Sequence, residues 1–252
     1  MPVRTTPWPN GTPCWVDLGT PDPDAARAFY AAVLGWTYSG GGPEEFGYSM
    51  CLRHDRKAAG LGPQQDPADP PRWTTYFAAD DVDAFAGRVT AAGGRLLAPP
   101  MDVGPAGRMA LGADPQGHPF GLWQAGTTTG AEIVNEPGSL VWNEAAVDDP
   151  AAARDFYTAV FGFRWDELPE SGGYCTFVTD DRPLGGLGGV SPGLPTGWST
   201  CFSVASCDEA VRAVEAGGGK VLLAAQDTEF GRFAVVADPW GASFSVMSEI
   251  PA

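Results

Sequence analysis

The sequence predicts an α+β protein made of two similar halves, and three observations support this. A strand–helix–turn stretch occurs twice: WVDLGTPDPDAARAFYAAVLGW at 15–36 returns as WNEAAVDDPAAARDFYTAVFGF at 142–163. The motifs after it also return, in the same order. WTTYF at 73–77 is matched by WSTCF at 198–202, Asp83 of VDAF by Asp208 of CDEA, and the Gly-Arg and Asp-Pro-x-Gly signals at 107–117 by those at 231–241. The offset between copies shortens along the chain, which places small deletions in loops of the second half, and so many matches in register establish an internal duplication. Finally, 24 prolines and 34 glycines in 252 residues favour many short strands and turns over long helices.

Residues 1–11 lack periodicity and read as an arm, and 14–19 alternate enough for a strand. Asp22-Pro23-Asp24 is a helix start, with a capping acid, Pro at the first helical position and more negative charge at the positive end of the dipole. Ala26, Phe29, Tyr30 and Val33 then recur at helical spacing, so the helix buries one face, and Gly35 stops it. Strands are expected at 46–52 and 57–61, with a polar, Pro-rich crossover at 63–72. A second unit follows: a strand at 73–79, a helix at 81–92 with Val82, Phe85 and Val89 on one face, and strands at 95–98, 108–113 and 119–124. Each half therefore reads βαβββ twice. The predicted divisions are an arm at 1–11, a first domain at 12–125, a Gly- and Thr-rich linker at 126–138 and a second domain at 139–250.

Composition excludes several functions. Thirty-one acidic residues against 15 basic ones give a net charge of −16, which repels a nucleic acid at long range. No apolar run reaches the ~18–20 residues of a membrane span, and the first residues lack the apolar core of a signal peptide. The expectation is a cytoplasmic protein with neither membrane nor nucleic-acid partners, a monomer or a homodimer. Cys14, Cys51, Cys175, Cys201 and Cys207 form no CxxC pair and read as small buried residues of a reducing compartment. The Gly-Gly runs at 93–94 and 217–219 end helices and match no nucleotide-binding pattern.

The series strand, Asp-Pro, helix ending in FYxxxxG, second acidic helix start and closing DPxG strand resembles the vicinal oxygen chelate superfamily. That group includes glyoxalases, bleomycin-resistance proteins and extradiol dioxygenases, and the wording here is most similar to tandem actinobacterial glyoxalase-like proteins loosely called hydroxylases. The resemblance implies two tandem glyoxalase-like domains, each with paired βαβββ units curving as one mixed sheet around a cleft. Metal-dependent members bind a divalent ion there through His, Glu or Gln. Those ligand positions fall by register on Trp15, Thr74 and Gly121 in the first half and on Trp142, Ser199 and Ser245 in the second. A divalent site needs about three N or O donors, and these residues supply none of adequate strength. His54 and His118 both read as surface turn residues. No metal and no other cofactor is therefore expected.

Residues in phase with the lost ligands are expected on the concave face. They are Trp15, Asp17, Thr74, Tyr76, Gly121 and Trp123 in the first domain, and Trp142, Glu144, Ser199, Cys201, Ser245 and Met247 in the second. Two Trp and a Tyr around one carboxylate suit an aromatic-lined small-molecule pocket; alternatively Trp15 and Trp142 fill a collapsed cleft. Asp17 and Glu144 stand at equivalent places, either as acid/base groups with raised pKa or as acceptors satisfied by backbone N–H or by Arg108 and Arg232. Phe29-Tyr30 and Phe156-Tyr157 read as core, and Trp73 and Trp198 as packed under the helices. The leading expectation is a metal-independent protein that binds an aromatic or polycyclic natural product or antibiotic, for sequestration or resistance. The alternative is a metal-free enzyme of secondary metabolism using Asp17 or Glu144 for isomerisation, cyclisation or hydroxylation. A metal-dependent lyase or dioxygenase comes last.

Overall fold

The computed structural model describes residues 4–168, 172–179 and 182–250. The first half runs β1 (Pro13–Thr20), α1 (Pro23–Leu34), β2 (Thr37–Gly40), β3 (Ser49–Arg53), β4 (Arg56–Pro63), β5 (Arg72–Ala78), α2 (Val82–Ala91), β6 (Arg95–Val103), β7 (Gly107–Ala113) and β8 (Pro119–Ala125). The second repeats it as β9 (Leu140–Val147), α3 (Pro150–Phe161), β10 (Arg164–Glu167), β11 (Cys175–Val178), β12 (Pro183–Gly189), β13 (Gly197–Ser203), α4 (Cys207–Ala216), β14 (Lys220–Thr228), β15 (Gly231–Ala237) and β16 (Ser243–Ser248). Each half is one eight-stranded mixed sheet, ordered β2-β3-β4-β1-β5-β8-β7-β6 and β10-β11-β12-β9-β13-β16-β15-β14. Two βαβββ units join in each sheet where β1 meets β5 and where β9 meets β13, both antiparallel. The architecture is α+β with two tandem glyoxalase-like domains.

Local chemistry sets the helix ends. Asp22 and Asp149 each accept a hydrogen bond from the N–H three residues on, with Pro at the first helical turn. Gly35 and Gly162 close α1 and α3 in the left-handed conformation, at φ 69° and 77°, which a side chain would strain. β6 runs further than the expected 95–98, through Pro99 and Pro100. A proline pair survives there because β6 is an edge strand and its register slips between Ala98 and Met101.

Both cores span the two domains. One combines α1, Trp36 and Trp73 with Phe202, α4 and Phe244; the other combines Phe77, α2 and Phe120 with α3, Phe163 and Phe177. Phe29 of α1 lies on Gly217 at the end of α4, and Phe156 of α3 lies on Gly94 after α2; a side chain at either glycine would strike the ring. The sheets therefore stand back to back on their helix-bearing faces, and the Trp15/Asp17 and Trp142/Glu144 faces turn outward.

The seam is tied by a reciprocal polar pair. Tyr30 donates to Asp238 Oδ2 (3.0 Å) and accepts from Trp73 Nε1 (3.1 Å); Tyr157 donates to Asp114 Oδ2 (3.1 Å) and accepts from Trp198 Nε1 (2.8 Å). The Tyr that ends FY in one domain thus reaches the Asp that opens DPxG in the other. These groups sit in the core, as expected of FY and of Trp73 and Trp198, but each carries a hydrogen bond across the domain boundary.

The linker is more than a spacer: Ala131 and Ile133 are buried, and Glu136 and Glu132 pair with Arg56 and Lys57. His54 sits exposed in its turn, whereas His118 departs from expectation. It is 8% exposed and its Nδ1 lies 3.0 Å from Asp114 Oδ2, because the DPxG turn folds inward against Gly197 of the other domain. The hydrogen bond to Asp114 raises the His118 pKa; burial opposes this, and the charges of Asp114 and Asp148 reinforce it. Burial pushes Asp114 upward, but the ring and backbone hydrogen bonds from His118, its charge and the Tyr157 hydroxyl outweigh that and leave its pKa below the usual value.

The sign follows. A raised His pKa contributes stability that is fully present below the unfolded value of 6.5 and fades as pH climbs through the folded value. Asp114 adds stability above the ordinary carboxylate range that is lost in acid as pH falls through its folded value. The urea midpoint difference between wild type and His118→Ala is expected to be largest near pH 6 and to shrink toward pH 9. A difference constant across that range would refute a charged His118–Asp114 pair.

Candidate functional site

Strand register brings the predicted site residues together. Asp17 pairs with Thr74, Trp15 with Tyr76, and Tyr76 with Gly121, while Ala78 beside it meets Trp123. In the second domain Glu144 pairs with Ser199, Trp142 with Cys201, Cys201 with Ser245, and Ser203 with Met247. Since neighbours in register share a face, all these residues lie on the outward, concave side of their sheets.

Each cleft also contains a tyrosine that strand phase alone did not identify. Trp15 Nε1 donates to Tyr48 Oη (3.1 Å), whose hydroxyl donates to Asp17 Oδ2 (3.4 Å). Trp142 Nε1 donates to Tyr174 Oη (3.0 Å), whose hydroxyl donates to Glu144 Oε2 (3.0 Å). Tyr48 and Tyr174 precede β3 and β11, and their rings reach the carboxylates by lying across β4 and β12. Only glycine permits that crossing: a methyl at Gly60 or Gly186 would overlap the tyrosine hydroxyl, and one at Gly62 or Gly188 would press on the ring. The sequence did hold a signal, a Gly-Tyr before each strand and a Gly-x-Gly in the next, at 47–48 with 60–62 and at 173–174 with 186–188.

The arginines expected as partners do not serve the carboxylates. Arg108 binds Asp83 at the start of α2 and Asp102 on β6, and Arg232 binds Asp208 at the start of α4 and Asp227 on β14. The carboxylates rely on tyrosines instead. Burial pushes the Asp17 pKa up to about 7, against hydrogen bonds from Tyr76 and Tyr48 that pull it down. Burial likewise raises Glu144, against the single Tyr174 hydrogen bond. Burial and the neighbouring carboxylate hold the Tyr48, Tyr76 and Tyr174 hydroxyls protonated as donors. All five cysteines are buried with raised pKa, so none is an activated thiol.

The domains differ in how full their clefts are. In the first, Trp15 and Tyr76 are each 6% exposed, and they pack with Cys14, Ala78, Ala131, the arm residue Trp8, Met50 and Trp123. The Tyr76 ring lies on Gly121, where any side chain would collide with it. In the second, the matching positions carry Cys201, Ser245 and Met247, and Trp142, Glu144, Ser199 and Met247 remain half-buried. The same Trp–Tyr–carboxylate sequence of bonds occurs in the domain seam, but there Asp114 and Asp238 are sealed between the sheets. The cleft carboxylates are half-buried and face outward, which the seam carboxylates cannot do.

A divalent ion does not suit this donor set. Trp15, Thr74 and Gly121, and Trp142, Ser199 and Ser245, leave one carboxylate per cleft. Among the described residues no three His, Cys, Asp or Glu side chains converge as a metal site. No described helix is long and apolar enough to cross a membrane.

Comparison with known proteins agrees with this fold. A model of the glyoxalase-like domain matches residues 15–123, and one of the glyoxalase/bleomycin resistance protein/dioxygenase superfamily matches 139–246. The chain is 40% identical over 263 residues to the putative glyoxylase CFP32 of Mycobacterium tuberculosis, covering 100% of this chain and 99% of the relative. It is 38% identical over 260 residues to the anthracycline biosynthesis protein DnrV of Streptomyces peucetius, covering 94% and 93%. Among solved structures, the Mn(II)-bound glyoxalase of Novosphingobium aromaticivorans superposes with a TM-score of 0.68 at 17% identity, over 96% of this chain and 84% of that one. The 2,3-dioxygenase LapB of Pseudomonas sp. KL28 gives 0.66 at 16% identity, over 96% and 94%. The chain belongs to the glyoxalase/bleomycin resistance protein/dioxygenase superfamily, with two such domains in tandem.

Proposed function

We propose that this protein binds an aromatic or polycyclic small molecule of the natural-product kind, without a resident metal, in the cleft of its second domain. The observation that carries this reading is the outward-facing Trp142–Tyr174–Glu144 array, beside small residues at Cys201 and Ser245 where the first domain has Tyr76 lying on Gly121. An indole and a phenol supply flat apolar walls, and the carboxyl orients a hydroxyl or amine of the guest. The likeness to a protein of anthracycline biosynthesis supports a polycyclic aromatic guest. The first cleft, packed by Trp8, Trp15 and Tyr76, serves structure.

The probe is 1,8-dihydroxyanthraquinone in a thermal-shift titration. At a free concentration of about 100 Kd a ligand of the native state adds ~2.7 kcal/mol, an increase of roughly 5–10 °C for a chain of this size. Ser199→Trp, which fills the second cleft beside Glu144, is expected to abolish the shift, and Thr74→Trp in the first is expected to leave it. No shift at any soluble concentration, or a shift lost only with Thr74→Trp, refutes the assignment.

A second reading, acid/base catalysis, is favoured by the raised pKa of both cleft carboxyls, Asp17 near neutrality and Glu144 above its usual range. Glu144→Gln separates the two. A binder keeps its affinity within about threefold, whereas an enzyme loses ~10²–10⁴-fold in turnover while still binding.

A further inference from the structure

The two domains differ at a second place, the mouth between the first and fourth strands of each sheet. β1 and β4 pair only from Asp17–Gly60 onward, and β9 and β12 only from Glu144–Gly186 onward. Below that point no ladder pairing joins the strands of either pair. In the first domain the linker closes the gap: Ala131 N donates to Cys14 O (2.7 Å), Glu132 N to Lys57 O (2.8 Å), and Lys57 N to Glu132 Oε2 (3.0 Å). In the second domain the place of Lys57 is taken by Pro183, which has no N–H to be satisfied, and a cavity of about 350 Å³ lies in and around the gap. That volume suits a bicyclic guest.

The cavity wall is unusual for this chain. It carries Arg4, Trp8, Trp142, Arg182 and Leu184, and among the described residues no Asp or Glu lines it. In a protein with 31 acidic and 15 basic residues, the described residues place two arginines and no carboxylate around this hollow. Arg4 is held over the Trp8 indole at 4.0 Å from the ring centre, with its Nε and Nη2 on Thr6 O and Pro7 O. Trp142 is common to both places: it lines this hollow, and its Nε1 bonds Tyr174 in the cleft. The smaller cavity beside the first domain, about 230 Å³ and lined by Asp80 without any Arg, lacks this character.

We infer that the gap between β9 and β12 is a binding site for an aromatic carboxylate, its ring against Trp142 and Leu184 and its carboxylate on Arg4 and Arg182. Planar guanidinium groups match a carboxylate fork, and indole faces hold the aryl group. This site adjoins the cleft and shares Trp142 with it, but its arginines and Leu184 lie outside the Trp142–Tyr174–Glu144 array. An empty cleft leaves it intact, and the test below reads it separately.

The probe is 2-naphthoate, titrated by calorimetry and by tryptophan fluorescence against the full chain. A single saturable site is expected, and neutral 2-naphthylmethanol is expected to bind about tenfold more weakly. Arg182→Met, at an exposed position that keeps the fold, and Arg4→Met are each expected to weaken 2-naphthoate about tenfold. Leu184→Trp, checked by circular dichroism, is expected to abolish binding, while Ser199→Trp in the cleft leaves it unchanged. The assignment is overturned by equal affinity for acid and alcohol, by unchanged affinity in both arginine variants, or by no saturable binding up to about 1 mM.

Discussion

Asp114→Ala is expected to destabilise the protein by about 3–5 kcal/mol. Asp114 is 2% exposed and accepts four hydrogen bonds, from Gln116 N, His118 N, His118 Nδ1 and Tyr157 Oη. Truncation leaves four donors facing a buried void and removes the counter-charge of a buried imidazole. Because Tyr157 belongs to α3 and Asp114 to the turn after β7, the loss falls on the joint between the domains. Unfolding of both halves should shift together in urea, monitored by tryptophan emission and far-UV dichroism. Asp114→Asn, which keeps an acceptor and the shape, should recover a good part of the loss. A cost below about 1 kcal/mol for the Ala variant would show that the seam is tied by apolar packing alone.

Gly186→Ala is expected to damage the second cleft far more than a one-carbon change normally does. The added methyl overlaps the Tyr174 hydroxyl, so either the ring leaves the strand surface or β12 is pushed aside. Overpacking of this kind costs ~1–3 kcal/mol. The functional loss is larger, because Tyr174 is both the donor to Glu144 and the acceptor of Trp142 Nε1. Anthraquinone binding is expected to fall at least tenfold, with Glu144 left without its hydrogen bond. Gly189→Ala, on the same strand with open space around its Cβ, is the control and should be neutral. If Gly186→Ala binds like wild type, the Trp–Tyr–carboxylate array is not the recognition element.

Much of the fold was legible because duplication doubles every weak signal. The Asp-Pro caps, the Phe-Tyr helix ends and the terminating glycines each act within a few residues of chain, so their consequences could be read locally and then checked against the second copy. The concave-face set from Trp15 to Met247 was legible for a similar reason. A strand alternates strictly, and one residue known to face the cleft places every second neighbour there.

What escaped depends on groups distant in sequence meeting in space. Arg108 and Arg232 were plausible partners for the cleft carboxylates, yet cross-strand register sets them opposite Asp102 and Asp227, and the starts of α2 and α4 bring Asp83 and Asp208 to them. His118 looked like a turn residue because its turn is one; its burial comes from the other domain closing over it.

The sequence by itself determined two copies of a βαβββ pair, the face that bears the cleft, and the unsuitability of the ligand positions for a divalent ion. The two copies follow from local propensity and strand period, and the cleft face and ligand positions follow from the resemblance those copies carry, extended along each strand by its period. Only the tertiary structure decided that the two sheets share both cores. It alone brought Tyr48 and Tyr174 over glycines to Asp17 and Glu144, and left one cleft packed and the other with half-buried walls. These outcomes are set by which surfaces meet when two copies of one motif bury their helices against each other, and by one tyrosine on a glycine in one copy where the other has a cysteine beside a serine.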